Sequence, residues 1–169
     1  MQPIYFHDKK EYKLWELDTW KKKRYSIWTN EFPDLLLENC SGGGARFDPG
    51  MFYYSLQIWC SDNVDAIERL RIQEGMALIY PLSTMGAHVG DCPNHIVGRN
   101  IPFETRGHVA MAGTFGYELD ITKISEEERI QIPGQIETYH RYQSLMQRGG
   151  LLPLGFLVRP EPYDCWEVA

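Results

Sequence analysis

Four short apolar runs, each halted by polar or glycine residues, limit what this chain can fold into. They are Leu35-Leu36-Leu37, stopping at the loop CSGGGARFD; Ser55–Trp59, stopping at Cys60-Ser61-Asp62; Ala77-Leu78-Ile79-Tyr80, stopping at Pro81; and His108–Ala112, stopping at Gly113-Thr114-Phe115-Gly116. Runs of this length suit strands covered on both faces, as in a parallel sheet. Helical signals lie between and after them. In VDAIERLRIQEG, Ala66, Ile67, Leu70 and Gln73 or Glu74 recur at helical spacing, with Asp65 or Ser61 placed to cap the start and Gly75 placed as a C′ glycine. Ser125-Glu126-Glu127-Glu128 reads as a capping box, and from Pro133 onward Ile136, Tyr139, Tyr142 or Gln143, and Met146 share one face up to Gly149-Gly150. Tyr12, Trp15 and Thr19 with Trp20 carry a further helical spacing. Alternating strands and helices predict right-handed βα units around a parallel sheet, an α/β fold. A (β/α)₈ TIM barrel has eight strands in about 250 residues. If the fold is such a barrel, four strands in 169 residues make up roughly half of it.

Bulk properties narrow the function classes. With 43% hydrophobic and 24% charged residues the chain suits one modest core rather than disorder. Its net charge is −6, and its basic residues are dispersed apart from Lys21-Lys22-Lys23-Arg24, so the positive face that nucleic acid requires is missing. No apolar stretch reaches the ~20 residues that span a bilayer, and the first residues do not form a secretory leader. Cys40, Cys60, Cys92 and Cys165 are far apart with no CxxC, which points to reduced thiols and a cytoplasmic protein without membrane partners. Aromatic residues make up 13% of the chain, and their rings serve either core packing or the C–H faces of sugars.

Three polar clusters are candidates for chemistry, because βα barrels work at the C-terminal ends of their strands. CSGGGARFD contains neither GxGxxG nor GK[ST], so it is not a phosphate loop. Its glycines allow close approach of a polyol to the main chain, although composition alone favours a mobile or tightly packed turn. In WCSDNVD, Asp62 follows a buried run beside a tryptophan, where apolar surroundings favour the protonated form that general-acid work needs; the alternative is a helix cap, the role expected of Asp65. MGAHVGDCPNH offers His88, Asp91, Cys92 and His95, without the CxxC or HExxH of a zinc site. A Cys40 nucleophile served by His88 or His108 has no spacing to fix its geometry. Neither metal nor cofactor is implied.

Taken together, CSGGGARFD, WCSDNVDAIERL, YPLSTMGAHV, PNH, TRGHVAMAGTFGYELD and ITKISEEE resemble the α-galactosidases of glycoside hydrolase family 36, nearly continuously over residues 31–148. The resemblance implies a central (β/α)₈ barrel between β domains and release of terminal α-linked galactose from sugars such as melibiose and raffinose by an intact enzyme that is a homo-oligomer. It makes the runs ending at Cys40, Asp62, Tyr80 and Ala112 the last four barrel strands. Asp62, the aspartate of W-x-S-D, becomes the proton donor and acid/base. Trp59 becomes a wall of the site, and Cys40, Ser41, Gly42 and Gly43 lie against galactose with Asp62. Arg46 and Asp48 support the loop, Asp48 in a structural role.

The family nucleophile, an aspartate in a K-W-D-M-N-R-like motif, does not occur in the sequence; Lys13-Leu14-Trp15-Glu16-Leu17-Asp18 is the nearest string. The expectation is a partial chain, inactive alone, in three parts: 1–30 poorly matched, 31–148 the C-terminal half of the catalytic barrel, and 149–169 an altered start of a C-terminal β domain. In that last part the family pattern is closer to G-D-Y-Y-R-L. A codon string for Gly150–Leu154 read one base later gives Asp-Tyr-Tyr-Arg-Leu, which predicts a local frameshift over 151–160. Two other readings stay open: a non-catalytic sugar-binding or inert barrel fragment, and a relative that transfers galactose to an acceptor sugar.

Overall fold

A computed structural model describes residues 23–40, 47–149, 151–153 and 166–168. A helix over 23–31 (α1) precedes β1 (Glu38–Asn39), the single turn α2 (Pro49–Phe52), β2 (Gln57–Trp59) and α3 (Ala66–Ala77). A 3₁₀ turn (Leu82–Thr84) leads into β3 (Met85–Gly90), followed by α4 (Phe103–Ala110), β4 (Thr114–Glu118) and α5 (Glu126–Arg148). Strands β1 to β4 form one sheet in sequence order, each parallel to the next, as successive βα units require. A separate antiparallel pair joins β5 (Leu151–Pro153) to β6 (Trp166–Val168). The helical spacing at Tyr12–Trp20 lies outside the described residues.

Three of the four strands are not where the apolar runs put them. Leu35–Leu37 precedes β1, which begins only at Glu38, and Leu35 and Leu36 are 45% and 92% exposed. Ala77–Tyr80 is the end of α3 and the turn after it, with Leu78 and Ile79 56% and 74% exposed. His108–Ala112 is the last turn of α4 and its exit. The strands begin a few residues later, at Met85 and Thr114. Glycine hides them. A Cβ at Gly86 would stand 2.9 Å from Cε3 of Trp59, and one at Gly116 would stand 2.7 Å from Cδ2 of His88. Close approach requires glycine there, and glycine removes the β-branched signature that marks a strand.

Side-chain alternation divides the sheet. Ile58, Met85, Ala87 and Val89 are fully buried, and Val89 packs with Phe103 and Ala110 against Phe115, Tyr117 and Ile132. This is the face covered by helices. Glu38, Gln57, Trp59, Gly86, His88, Thr114, Gly116 and Glu118 share the opposite face through the parallel register.

The helices are fastened largely by polar groups. Asp65 caps α3, its Oδ1 accepting from the Ile67 and Glu68 amides at 3.1 Å each, a contact worth about 1 kcal/mol. That helix passes through Gly75 instead of stopping there and ends at Leu78 with ordinary helical backbone. Its buried side is Ala66, Arg69, Gln73 and Glu74, while Ile67 is exposed. Gln73 Nε2 donates to the Val109 and Ala112 carbonyls (3.0 and 3.1 Å), satisfying the end of α4. Arg106 of α4 donates to Ile101 O (3.1 Å), to Gly90 O (2.6 Å) and to Glu128 of α5 (2.5 Å). The capping box at Ser125 and Glu128 is present, and α5 continues unbroken through the exposed Pro133. Tyr139 is buried as the spacing predicts, whereas Gln135 rather than Ile136 accompanies it.

Candidate functional site

Because β1 to β4 are parallel, their C-terminal ends lie on one side, and the polar residues after them are brought together there. Cys40 directly follows β1, and Asp62 follows β2 by three residues. The Cys40 thiol donates to Asp62 Oδ1 at 3.6 Å, joining two of the predicted residues across 22 positions of sequence. Ser41, Gly42, Gly43 and Arg46 lie outside the described residues. Asp48 caps α2 by accepting from the Gly50 and Met51 amides (2.8 and 3.2 Å), the structural role expected of it.

The loop between β2 and α3 explains why Asp62 and Asp65 differ. Ser61 Oγ accepts from the Asn63 amide (3.1 Å) and Asn63 Oδ1 accepts from the Asp65 amide (3.0 Å), so local side-chain bonds shape the turn. Asp65 is committed through its Oδ1, which caps α3 and pairs with Arg99 at 2.5 Å. Asp62 caps nothing and faces Cys40. It is exposed, so the apolar surroundings expected around it are not supplied by the described residues. Two residues earlier, Cys60 is buried, and burial raises its thiol above the ordinary range even though Arg69 opposes the shift.

Trp59 is 6% exposed. The Arg69 guanidinium carbon lies 4.4 Å from the centre of its ring, and the His88 imidazole lies 4.6 Å away at an interplanar angle of 31°. The paired register of β2 and β3 ends at Trp59 and Gly86. Arg69 reaches in from α3 at that point, donating to Gly86 O at 2.6 Å and to Cys60 Sγ at 2.9 Å. Burial and then the neighbouring Arg69 charge lower the His88 basicity, and the Glu118 carboxylate lies 3.9 Å from Nδ1. Across the same face Gln57 Nε2 donates to Glu38 Oε2 at 2.5 Å. Burial, followed by the charge of Glu118, raises the Glu38 carboxyl against that bond.

The arrangement supplies a carboxyl group able to give and take a proton at the strand ends, over a floor of aromatic and charged side chains. Among the described residues no three of His, Cys, Asp and Glu converge as metal ligands. Within MGAHVGDCPNH, His88 joins the sheet face, Asp91 accepts from the Asp120 amide, and Cys92 meets Asn100. His108, weighed as a base for Cys40, lies exposed on α4. Sequence reasoning missed Glu38, Gln57, Arg69 and Glu118. A polar stripe at Asp65, Arg69 and Gln73, spaced by four on one helix face, was the signal for Arg69.

The Melibiase family model matches residues 22–149. The bifunctional alpha-galactosidase/sucrose kinase AgaSK of Mediterraneibacter gnavus is 61% identical over 120 residues, 71% of this chain and 13% of AgaSK. Alpha-galactosidase AgaA of Geobacillus stearothermophilus is 57% identical over 121 residues, 72% of this chain and 17% of AgaA. A crystal structure of an AgaA variant in complex with raffinose matches with a TM-score of 0.75 at 51% identity, over 80% of this chain and 18% of that one. The chain thus spans less than a fifth of the length of these relatives.

Proposed function

The chain belongs to the Melibiase family, and from that premise we propose that it carries the acid/base side of a retaining α-galactosidase active site. The substrates are sugars ending in α-linked galactose, melibiose and raffinose among them; raffinose is the ligand in the AgaA complex. The observation that carries the reading is Asp62 at the end of β2, free of any capping duty and bonded to the thiol at the end of β1. In a retaining reaction, Asp62 gives its proton to the glycosidic oxygen as the bond to the anomeric carbon breaks. A second carboxylate, about 5–5.5 Å away, takes that carbon, and Asp62 then removes a proton from the water that releases galactose.

The second carboxylate belongs to the motif that this sequence lacks, so the 169 residues alone do not turn over substrate. Cys40, Ser41, Gly42, Gly43 and Trp59 complete this side of the galactose site. The intact enzyme is a cytoplasmic homo-oligomer; among the described residues no helix is long and apolar enough to cross a membrane. Replacing the matching segment of AgaA by residues 31–148 tests the proposal. The chimera should hydrolyse an aryl α-galactoside, and Asp62→Asn within it should lower kcat by about 10²–10⁴-fold, the usual weight of a general acid. Equal turnover by the Asn variant, or hydrolysis by the isolated 169-residue chain, would sink it.

A further inference from the structure

The floor beneath the strand ends has an ordered construction. The Trp59 indole of β2 lies against Gly86 of β3, where a Cβ would come within 2.9 Å of its Cε3. The His88 imidazole of β3 lies against Gly116 of β4, where a Cβ would come within 2.7 Å of Cδ2 and 2.9 Å of Nε2. Each ring leans over a glycine on the next strand, and the two rings touch at 4.6 Å between centres. Register enforces this, since Trp59 is level with Gly86 and His88 with Gly116. The far edge of the imidazole is met by Glu118 at 3.9 Å, and Arg69 covers the indole.

We propose that His88 is a positioning residue: seated in the slot left by Gly116, its imidazole fixes the Trp59 indole and with it the end of β2 that presents Asp62. A ring two residues further along the neighbouring strand cannot be removed without freeing one side of the indole, because Gly86 offers no side chain to replace it. Gly116 is then as much a part of the device as His88, since any side chain at that position lifts the imidazole. This inference rests on the reading of the β2 end as part of a galactoside site, but it concerns different residues and can fail separately.

The test follows the Trp59 indole N–H in ¹H–¹⁵N spectra of the 169-residue chain, assigned by its loss in Trp59→Phe. His88→Gln should shift that resonance and speed its exchange with solvent roughly tenfold, as expected for local opening without global unfolding. His88→Phe, which restores a ring to the slot, should bring both values back toward the wild type. Gly116→Ala, with both rings retained, should reproduce the effect of His88→Gln. Far-UV circular dichroism should match across the set. An indole resonance that ignores all three variants overturns the inference, as does a failure of His88→Phe to differ from His88→Gln. Galactose added to the wild type should also move the Trp59 signal. No response to galactose, with the ring coupling intact, overturns the sugar reading of this end and leaves the positioning role of His88 standing.

Discussion

At the scale of single residues, neighbouring groups of like chemistry take different parts according to what surrounds them. Asp62 and Asp65 are three positions apart, yet Asp65 caps a helix and pairs with an arginine while Asp62, among the described residues, meets a thiol. Only half of that was legible in the sequence. The cap at Asp65 follows from its place before a helical spacing, but the hydrogen bonds among Ser61, Asn63 and Asp65 that turn Asp62 away depend on loop geometry, which periodicity does not encode. The cysteines diverge in the same way. Cys60 is buried with its thiol pushed up by burial, whereas Cys92 is exposed and Cys40 half-buried. Since the thiolate is the reactive species, a disulfide reagent at mildly alkaline pH should label Cys92 and Cys40 quickly and reach Cys60 only when urea opens the core. Mass spectrometry of peptides taken at timed intervals would check the order, and early labelling of Cys60 would contradict it.

At the scale of elements, parallel strands in sequence order with helices between them were foreseeable, and three strand positions were not. The apolar runs fell before β1 and at the ends of α3 and α4, where Leu36, Leu78 and Ile79 are exposed; β3 and β4 instead make room for Trp59 and His88 with glycines, a choice that depends on partners distant in sequence. The buried arginines were invisible for a related reason, since a charged residue on a helix reads as its solvent side. Arg106 is nevertheless buried and bonds to the end of β3, the entry of α4 and the first turn of α5. Arg106→Ala takes the guanidinium donors from the Gly90 and Ile101 carbonyls and from the Glu128 carboxylate, which keeps its capping bond to the Ser125 amide. The expected loss is on the order of 3–5 kcal/mol, as for removing one partner of a buried ion pair. Urea denaturation would measure it. A cost below about 1 kcal/mol, the level of an exposed pair, would mean that water takes over all three bonds.

At the scale of the whole molecule, the face opposite the helices sets how stability responds to acid. His88 has its basicity lowered in the folded chain by burial and by Arg69, so the unfolded chain, with an ordinary value near about 6.5, binds the proton first. Stability is complete above that value and falls as pH drops from it toward the folded midpoint. Glu38 works in the opposite sense: its raised carboxyl makes ionisation costly in the folded state, and that cost is relieved as pH falls through its folded midpoint toward the ordinary carboxylate range. Comparing urea midpoints at pH 7.5 and 5.5 for the wild type and His88→Gln should give a smaller acid loss in the variant, and equal losses would remove His88 from the account.

The two buried guanidinium groups have a mechanical consequence as well. Arg69 and Arg106 reach from α3 and α4 to the carbonyls of Gly86 and Gly90, both on β3 and about 13 Å apart along it. An apolar interface tolerates sliding by a fraction of a side chain, whereas a hydrogen bond does not tolerate a shift of one residue. The arginines therefore work as dowels, setting the height of each helix along the strand, much as alignment pins fix two halves of a casting before they are joined.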